Sequence, residues 1–184
     1  MIEIRWHGRG GQGAVTAAEL LAHASINQGK YAQAAPSFGP ERRGAPVQAF
    51  NRIDDKPIQI RSEIYNPDIV IVIDPGLPRV VDVSSGLKNK GWIIINTKKT
   101  YQEIKDEFGF DNAKLAVIDA KKIALELIGL PIVNTTMLGS AIKVIGGVEF
   151  EYLEEAIYNR FGNKAGAANL KALRKAFEDI IIRE

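Results

Sequence analysis

Short apolar runs alternate along the chain with segments of helical spacing, and the first pair sets the pattern. Ile2 to Trp6 is an apolar run that ends at Gly8, and Gly13 to Gln28 is rich in Ala and Leu at helical spacing. This predicts a strand, a glycine turn and a helix. A second apolar segment, Tyr31 to Ala35, predicts the next strand, and the intervening helix is long enough for a right-handed parallel crossover. From Pro36 to Pro46 the composition changes to glycine, proline and charge, PSFGPERRGAP, which predicts a surface loop of a size that often carries function. Val47 to Ile53 and Ile58 to Ile60 flank the turn-type residues Asp54-Asp55-Lys56-Pro57, and the simplest expectation is a hairpin.

Three further runs, Ile69 to Ile73, Trp92 to Ile95 and Leu115 to Ile118, lack alternation, as expected for strands covered on both faces. Each is followed by a polar residue, Asp74, Asn96 and Asp119, so amide and carboxylate groups fall along one edge of the sheet. In open α/β sheets ligands bind beyond that edge. Capping of the following helices is the other use of such residues at strand-to-helix turns. Beyond Pro131 the pattern is helical only: Asn134 is placed to cap a helix running towards Gly146-Gly147. Two amphipathic helices follow, marked by Phe150, Leu153, Ile157 and Phe161 and by Leu170, Leu173, Phe177 and Ile180, with Gly162 to Gly166 as their link. No further strand is required. The expected fold is a three-layer α/β/α sandwich, Rossmann-like, with a mixed, mostly parallel sheet and a helical C-terminal region.

Composition narrows this picture. With 184 residues and 46% hydrophobic composition, the chain can bury one sizeable core, and without repeats or linkers a single domain over residues 1–184 is expected. Twenty-four basic against 22 acidic residues leave a net charge of +2, too balanced for the broad field of a non-specific nucleic-acid binder. The absence of cysteine excludes disulfides, thiolate nucleophiles and cysteine-held iron–sulfur clusters in this chain. MIEIRW leads directly into the glycine loop without a leader-like segment, and the apolar runs fall far short of the roughly 20 residues that span a bilayer. The expectation is a cytoplasmic protein with neither a membrane nor a nucleic acid as partner.

Gly8, Gly10 and Gly13 satisfy GxGxxG spacing after a strand and before a helix, and Gly11 removes another side chain from the loop. Backbone N–H groups and a helix N-terminus could meet a phosphate there. A nicotinamide site also needs an acidic residue about 20 positions on, at the end of the second strand. That place reads Ala35-Pro36-Ser37, and the first acid after Glu19 is Glu41. An independent NAD-dependent oxidoreductase is therefore disfavoured. Tight turning and close helix–strand packing are the other use of such glycines, but Arg9 and Gln12 project a cation and an amide that packing alone does not need.

HGRGGQG from His7 to Gly13, followed by FGPERRGAPVQAFNRI from Phe38 to Ile53, resembles the gamma subunit of 2-oxoacid:ferredoxin oxidoreductases of the pyruvate/ketoisovalerate type. NPDIVIVID from Asn66 to Asp74, the strand end Ile118 to Ala120, and IGLPIVNTTMLG from Ile128 to Gly139 extend the resemblance over essentially the whole chain. It implies a reaction in which a 2-oxoacid, coenzyme A and oxidised ferredoxin give an acyl-CoA, carbon dioxide and reduced ferredoxin. Thiamine diphosphate and iron–sulfur clusters would reside in partner alpha, beta and delta subunits, with no cofactor bound by this chain alone, coenzyme A as co-substrate, and ferredoxin met through the complex.

In single-chain relatives the equivalent domain looks like a lobe that closes over the active site and helps hold coenzyme A, with paired lysines where this sequence has Arg42-Arg43. The resemblance thus makes Gly8, Arg9, Gly10, Gly11, Gln12 and Gly13, together with Arg42 and Arg43, candidate coenzyme A contacts, guanidinium being suited to bidentate phosphate binding. It implies no catalytic residue here. Arginine for lysine is a departure, and Arg42 and Arg43 pairing with acids of a neighbouring subunit is the alternative. A purely structural assembly subunit, or a subunit of a branched-chain 2-oxoacid or 2-oxoglutarate enzyme, are the competing functions. His7 reads best as a hydrogen-bonded core histidine, Lys98-Lys99 and Lys121-Lys122 as solvated charge, and Trp6 and Trp92 as core or interface.

Overall fold

A computed structural model describes residues 1–37 and 43–183. One seven-stranded sheet organises them, in the order β2-β3-β1-β4-β5-β6-β7. The strands are β1 (Ile2–Arg9), β2 (Tyr31–Pro36), β3 (Pro46–Asp54), β4 (Ile69–Val72), β5 (Trp92–Asn96), β6 (Lys114–Ile118) and β7 (Ile181–Arg183). The helices are α1 (Ala14–Asn27), α2 (Tyr101–Phe108), α3 (Ala120–Leu127), α4 (Asn134–Ile145) and α5 (Phe150–Asp179). Five strands run in one direction, with β3 and β7 reversed. The mixed, mostly parallel three-layer arrangement is as expected.

The non-alternating runs sort cleanly by the two-residue pleat. Ile69, Ile71 and Ile73, Ile94, and Ala116 and Ile118 face one side and pack with α1, α3, α4 and α5. Val70 and Val72, Ile93 and Ile95, and Leu115 and Val117 face the other, against Ile104 of α2 and Leu77 and Val83 of the segment after β4. Every residue of these strands therefore meets a hydrophobic layer, which is why the polar half of the usual alternation is missing. Helix α4 lies within the first layer, with Thr135, Met137, Leu138 and Ser140 all buried. At Gly139 a Cβ would meet the Leu173 carbonyl oxygen of α5, so the α4–α5 crossing depends on a missing side chain.

Several expectations are corrected. Strand β2 runs parallel to β1 but does not neighbour it, because β3 is inserted between them and pairs antiparallel with both. The hairpin from Val47 to Ile60 is absent for the same reason: both ladders of β3 are filled, and Ile58 to Ile60 forms no strand. A strand does follow the last helix, since Ile181–Arg183 adds antiparallel to β6. Asn134 is the first residue of α4 rather than its cap, a position taken by Val133. The two C-terminal helices join at Gly162 alone, whose φ of 71° and ψ of 177° break α5, and Gly166 lies inside the second half, buried and close to Tyr158.

Candidate functional site

At the end of β1 the chain turns through Gly10 to Gly13 into α1, and the turn requires glycine at two places. Gly11 and Gly13 have φ of 93° and 81°, values costly for a residue with a Cβ. At Gly13 a Cβ would also lie 2.7 Å from Asn134 Nδ2. A Cβ at Gly8 would touch Ala14 at 3.4 Å, so that position serves close strand–helix packing.

Arg9 and Gln12 do reach a partner, and it lies within the chain. Gln12 Nε2 donates to Asp74 Oδ2 at 2.8 Å, while Gln12 Oε1 accepts from the Arg9 backbone N–H at 2.7 Å. Arg9 Nε lies 3.4 Å from Asp74 Oδ2, and Arg9 Nη1 donates to the Gly44 carbonyl at 3.1 Å. The backbones of the two motifs also join: Gly10 N–H donates to Ala45 at 2.9 Å, Gly44 N–H donates to Gly10 at 3.1 Å, and Gly10 bridges Arg43. The structure thus brings the glycine loop, the carboxyl end of β4 and the arm bearing Arg43 into one bonded unit. Arg43 is exposed; Arg42 lies outside the described residues.

The three polar residues after the parallel strands divide their roles. Asp119 caps α3 by accepting from Lys122 N–H at 3.0 Å. Asn96 stitches two elements, donating to the Ile73 carbonyl at 2.9 Å and accepting from Ala120 N–H at 3.1 Å. Asp74 accepts from Gly76 N–H at 2.9 Å besides holding Arg9 and Gln12. All three line a cleft of about 580 Å³ along the carboxyl edge of the sheet.

Sequence reasoning missed how this cleft is walled. Pro75, Ile104, Phe108, Pro131, Ile132 and Val133 contribute apolar surface, and Arg79, Lys98, Lys99 and Lys121 contribute cations. Arg79 and Lys99 both bind Glu107, each at 2.6 Å. The one available signal was positional, because both lysine pairs directly follow parallel strands.

His7 proves to be a core residue. It is 2% exposed, and its Nε2 accepts from Arg5 Nε at 3.0 Å. Burial, and after it the Arg5 charge, pushes its pKa down to about 3, with Asp82 opposing, so the ring is neutral. Trp6 is likewise buried, donating to Asn51 Oδ1 at 2.8 Å, while the half-buried Trp92 carries Lys114 over its ring.

An open, mixed and mostly parallel α/β sheet with a glycine turn after its first strand and a cleft of about 580 Å³ at its carboxyl edge defines a protein of the open, doubly wound α/β class. Residues 3–179 match the profile of a family described as pyruvate ferredoxin/flavodoxin oxidoreductase. The chain is 56% identical over 184 residues to the pyruvate/ketoisovalerate oxidoreductases common subunit gamma of Thermococcus litoralis, with 100% of both chains covered. It is 54% identical over 178 residues to pyruvate synthase subunit PorC of Methanothermobacter marburgensis, covering 97% of each. The crystal structure of pyruvate oxidoreductase subunit PORC from Thermotoga maritima matches with a TM-score of 0.88 and 41% identity, over 100% of this chain and 98% of that one. The chain belongs to the pyruvate ferredoxin/flavodoxin oxidoreductase family, as a gamma-type subunit.

Proposed function

We propose that this chain is one gamma-type domain, residues 1–184, of a complex that oxidatively decarboxylates a 2-oxoacid, pyruvate being the nearest case, and passes the electron pair to ferredoxin. Thiamine diphosphate and iron–sulfur clusters belong to the alpha, beta and delta partners, and the complex works in the cytoplasm. The contribution of this subunit is positioning: it closes over the active site, excludes water and holds coenzyme A for attack on the acyl group. Gly8 to Gly13 and Arg42-Arg43 supply the contacts, the glycines by backbone approach and the arginines by pairing with phosphate.

The supporting observation is the junction of the two motifs, in which Gly10 and Gly44 exchange backbone hydrogen bonds with the opposite segment and leave the Arg43 side chain exposed. Such a junction fixes the base of the arginine arm while leaving its charge available. Replacing Arg42 and Arg43 with alanine in the reconstituted complex tests this. The expected result is an apparent coenzyme A KM raised at least about tenfold, the scale of one lost charge-assisted contact, with assembly intact. Unchanged coenzyme A kinetics would overturn the reading. An assembly role is the second reading, favoured by the exposed Leu125, Leu130 and Ile132; lost assembly in the same variant would support it.

A further inference from the structure

The two ends of the sheet are guarded unequally. At one end β7 spans only Ile181–Arg183 and carries Arg183, the short and charged form that discourages pairing with another chain. At the other, β2 runs Tyr31–Pro36 as YAQAAP with no charged residue, and only β3 pairs with it. Register shows which of its backbone groups are open. Ser37 N–H donates to the Gln48 carbonyl, so Tyr31, Gln33 and Ala35 share its direction and bond to β3, while Ala32, Ala34 and Pro36 point outward. Among the described residues, neither Ala32 nor Ala34 has a backbone partner on that side.

The open stretch is short and closed at both ends. Pro36 has no N–H to offer, and the Lys30 N–H is already given to the Ser25 carbonyl at 3.0 Å. Between them Ala32-Gln33-Ala34 reads the same in either direction. An antiparallel copy of that triplet places Ala32 opposite Ala34 and Ala34 opposite Ala32, each giving and receiving a backbone hydrogen bond, with Gln33 facing its own counterpart on a two-fold axis. The same register sets Tyr31, 48% exposed, against the small and exposed Ala35 of the other copy. Gln33 uses one amide hydrogen on the Ile58 carbonyl at 3.2 Å; among the described residues its Oε1 accepts nothing, which leaves that oxygen and the second amide hydrogen for the facing Gln33. Exposed apolar side chains accompany the strand at Ile26, where α1 leads into it, and at Ile60, just beyond the Ile58 carbonyl that Gln33 holds.

We propose that β2 pairs antiparallel with β2 of a second copy of this chain, about a two-fold axis through Gln33, so that the two sheets become one continuous sheet. A strand from an unlike subunit could meet the same open groups, but it has no need of a palindromic edge; a second copy does. The pairing satisfies backbone groups that a lone chain leaves to water, and it removes the unguarded edge of the sheet. It uses none of the residues assigned to coenzyme A and stands whatever the arginine arm binds.

The full-length chain contains no cysteine, which makes the register testable by disulfide trapping. In Gln33→Cys the two thiols would face each other at a non-hydrogen-bonded pair, where Cα atoms are about 4.5 Å apart and a disulfide fits. Mild oxidation should convert this variant to a covalent dimer of twice the 20.2 kDa chain mass. Tyr31→Cys, on the same face but offset from its counterpart by roughly 13 Å along the strand, should stay uncrosslinked. Sedimentation equilibrium of the parent chain should show a reversible dimer whose population rises with concentration. Gln33→Lys and Gln33→Glu should each weaken association about fivefold by setting like charges face to face, and an equimolar mixture of the two should regain it. A parent chain that stays monomeric up to millimolar concentration, a Tyr31→Cys variant that cross-links as readily as Gln33→Cys, or a mixture of the charged variants that associates no better than either alone would overturn the pairing.

Discussion

Gln12 donates to Asp74 across 2.8 Å although 62 positions separate them, and the same carboxylate oxygen holds Arg9 at 3.4 Å. Asp74 is only 18% exposed in its side chain, so these contacts are partly desolvated and exceed an ordinary surface pair. Asp74→Ala should therefore cost about 1–3 kcal/mol in urea unfolding, through the stranded Arg9 and Gln12 groups. A second readout follows from Arg9 reaching Gly44. Amide exchange at Gly10 and Gly44 should accelerate in Asp74→Ala, while protection in α4 stays native. A protected Gly44 amide in that variant would show that Asp74 does not fix the junction.

Gly13 and Gly11 separate two costs that usually come together. Both have positive φ, but only Gly13 lacks room for a Cβ. Gly11→Ala should cost about 1–2 kcal/mol, the backbone penalty alone. Gly13→Ala adds the 2.7 Å approach to Asn134 and should cost about 2–4 kcal/mol. The double variant Gly13→Ala/Asn134→Ala should recover part of that loss, a positive coupling that a double-mutant cycle measures. Additive losses would mean that the Asn134 side chain moves aside freely.

These residues also show what could be read from the chain. The runs at Ile69, Trp92 and Leu115 were legible because both faces of each strand meet a helix or loop layer, so burial is written into consecutive residues. The insertion of β3 between β1 and β2 was not, since the pattern of a strand reports its faces and not which neighbours fill its edges. β7 escaped because three residues after a long helix carry too little periodicity. The glycine turn was visible locally, whereas its bond to Asp74 depends on β4 lying beside β1. Lys98 and Lys121 were each visible, but their shared cleft follows from the β5–β6 pairing.

Gly139 offers a test of the helical layer independent of the site. A Cβ there would sit 2.0 Å from the Leu173 carbonyl oxygen, which is backbone and cannot rotate away. Gly139→Ala must push α4 and α5 apart in a close-packed layer. The expected outcome is a loss of at least about 3 kcal/mol or failure to accumulate folded protein. Gly109→Ala is the comparison: nothing lies within 4 Å of its Cβ, and its φ of 63° leaves a backbone cost of about 1–2 kcal/mol. Equal losses in the two variants would show that the helices relax without cost.

His7 makes stability depend on pH in a direction set by its burial. Its folded pKa is about 3 against an ordinary value of 6.5, so between those values the unfolded chain binds the proton and the folded chain does not. Stability contributed by the neutral ring is complete above pH 6.5 and declines as pH falls towards 3. At pH 5 the loss should be about 2 kcal/mol, on top of whatever the carboxylates contribute. Arg5 cannot relieve it, because its guanidinium donates to His7 and to the Val83 and Ser85 carbonyls, and a protonated ring would place a second cation beside it. His7→Gln keeps an acceptor for Arg5 but cannot charge. Urea midpoints at pH 7 and pH 5 should therefore differ less in His7→Gln than in the parent chain, and the parent imidazole should show no titration by NMR down to pH 4. A ring that titrates near 6.5 in the folded chain would remove the basis for this slope.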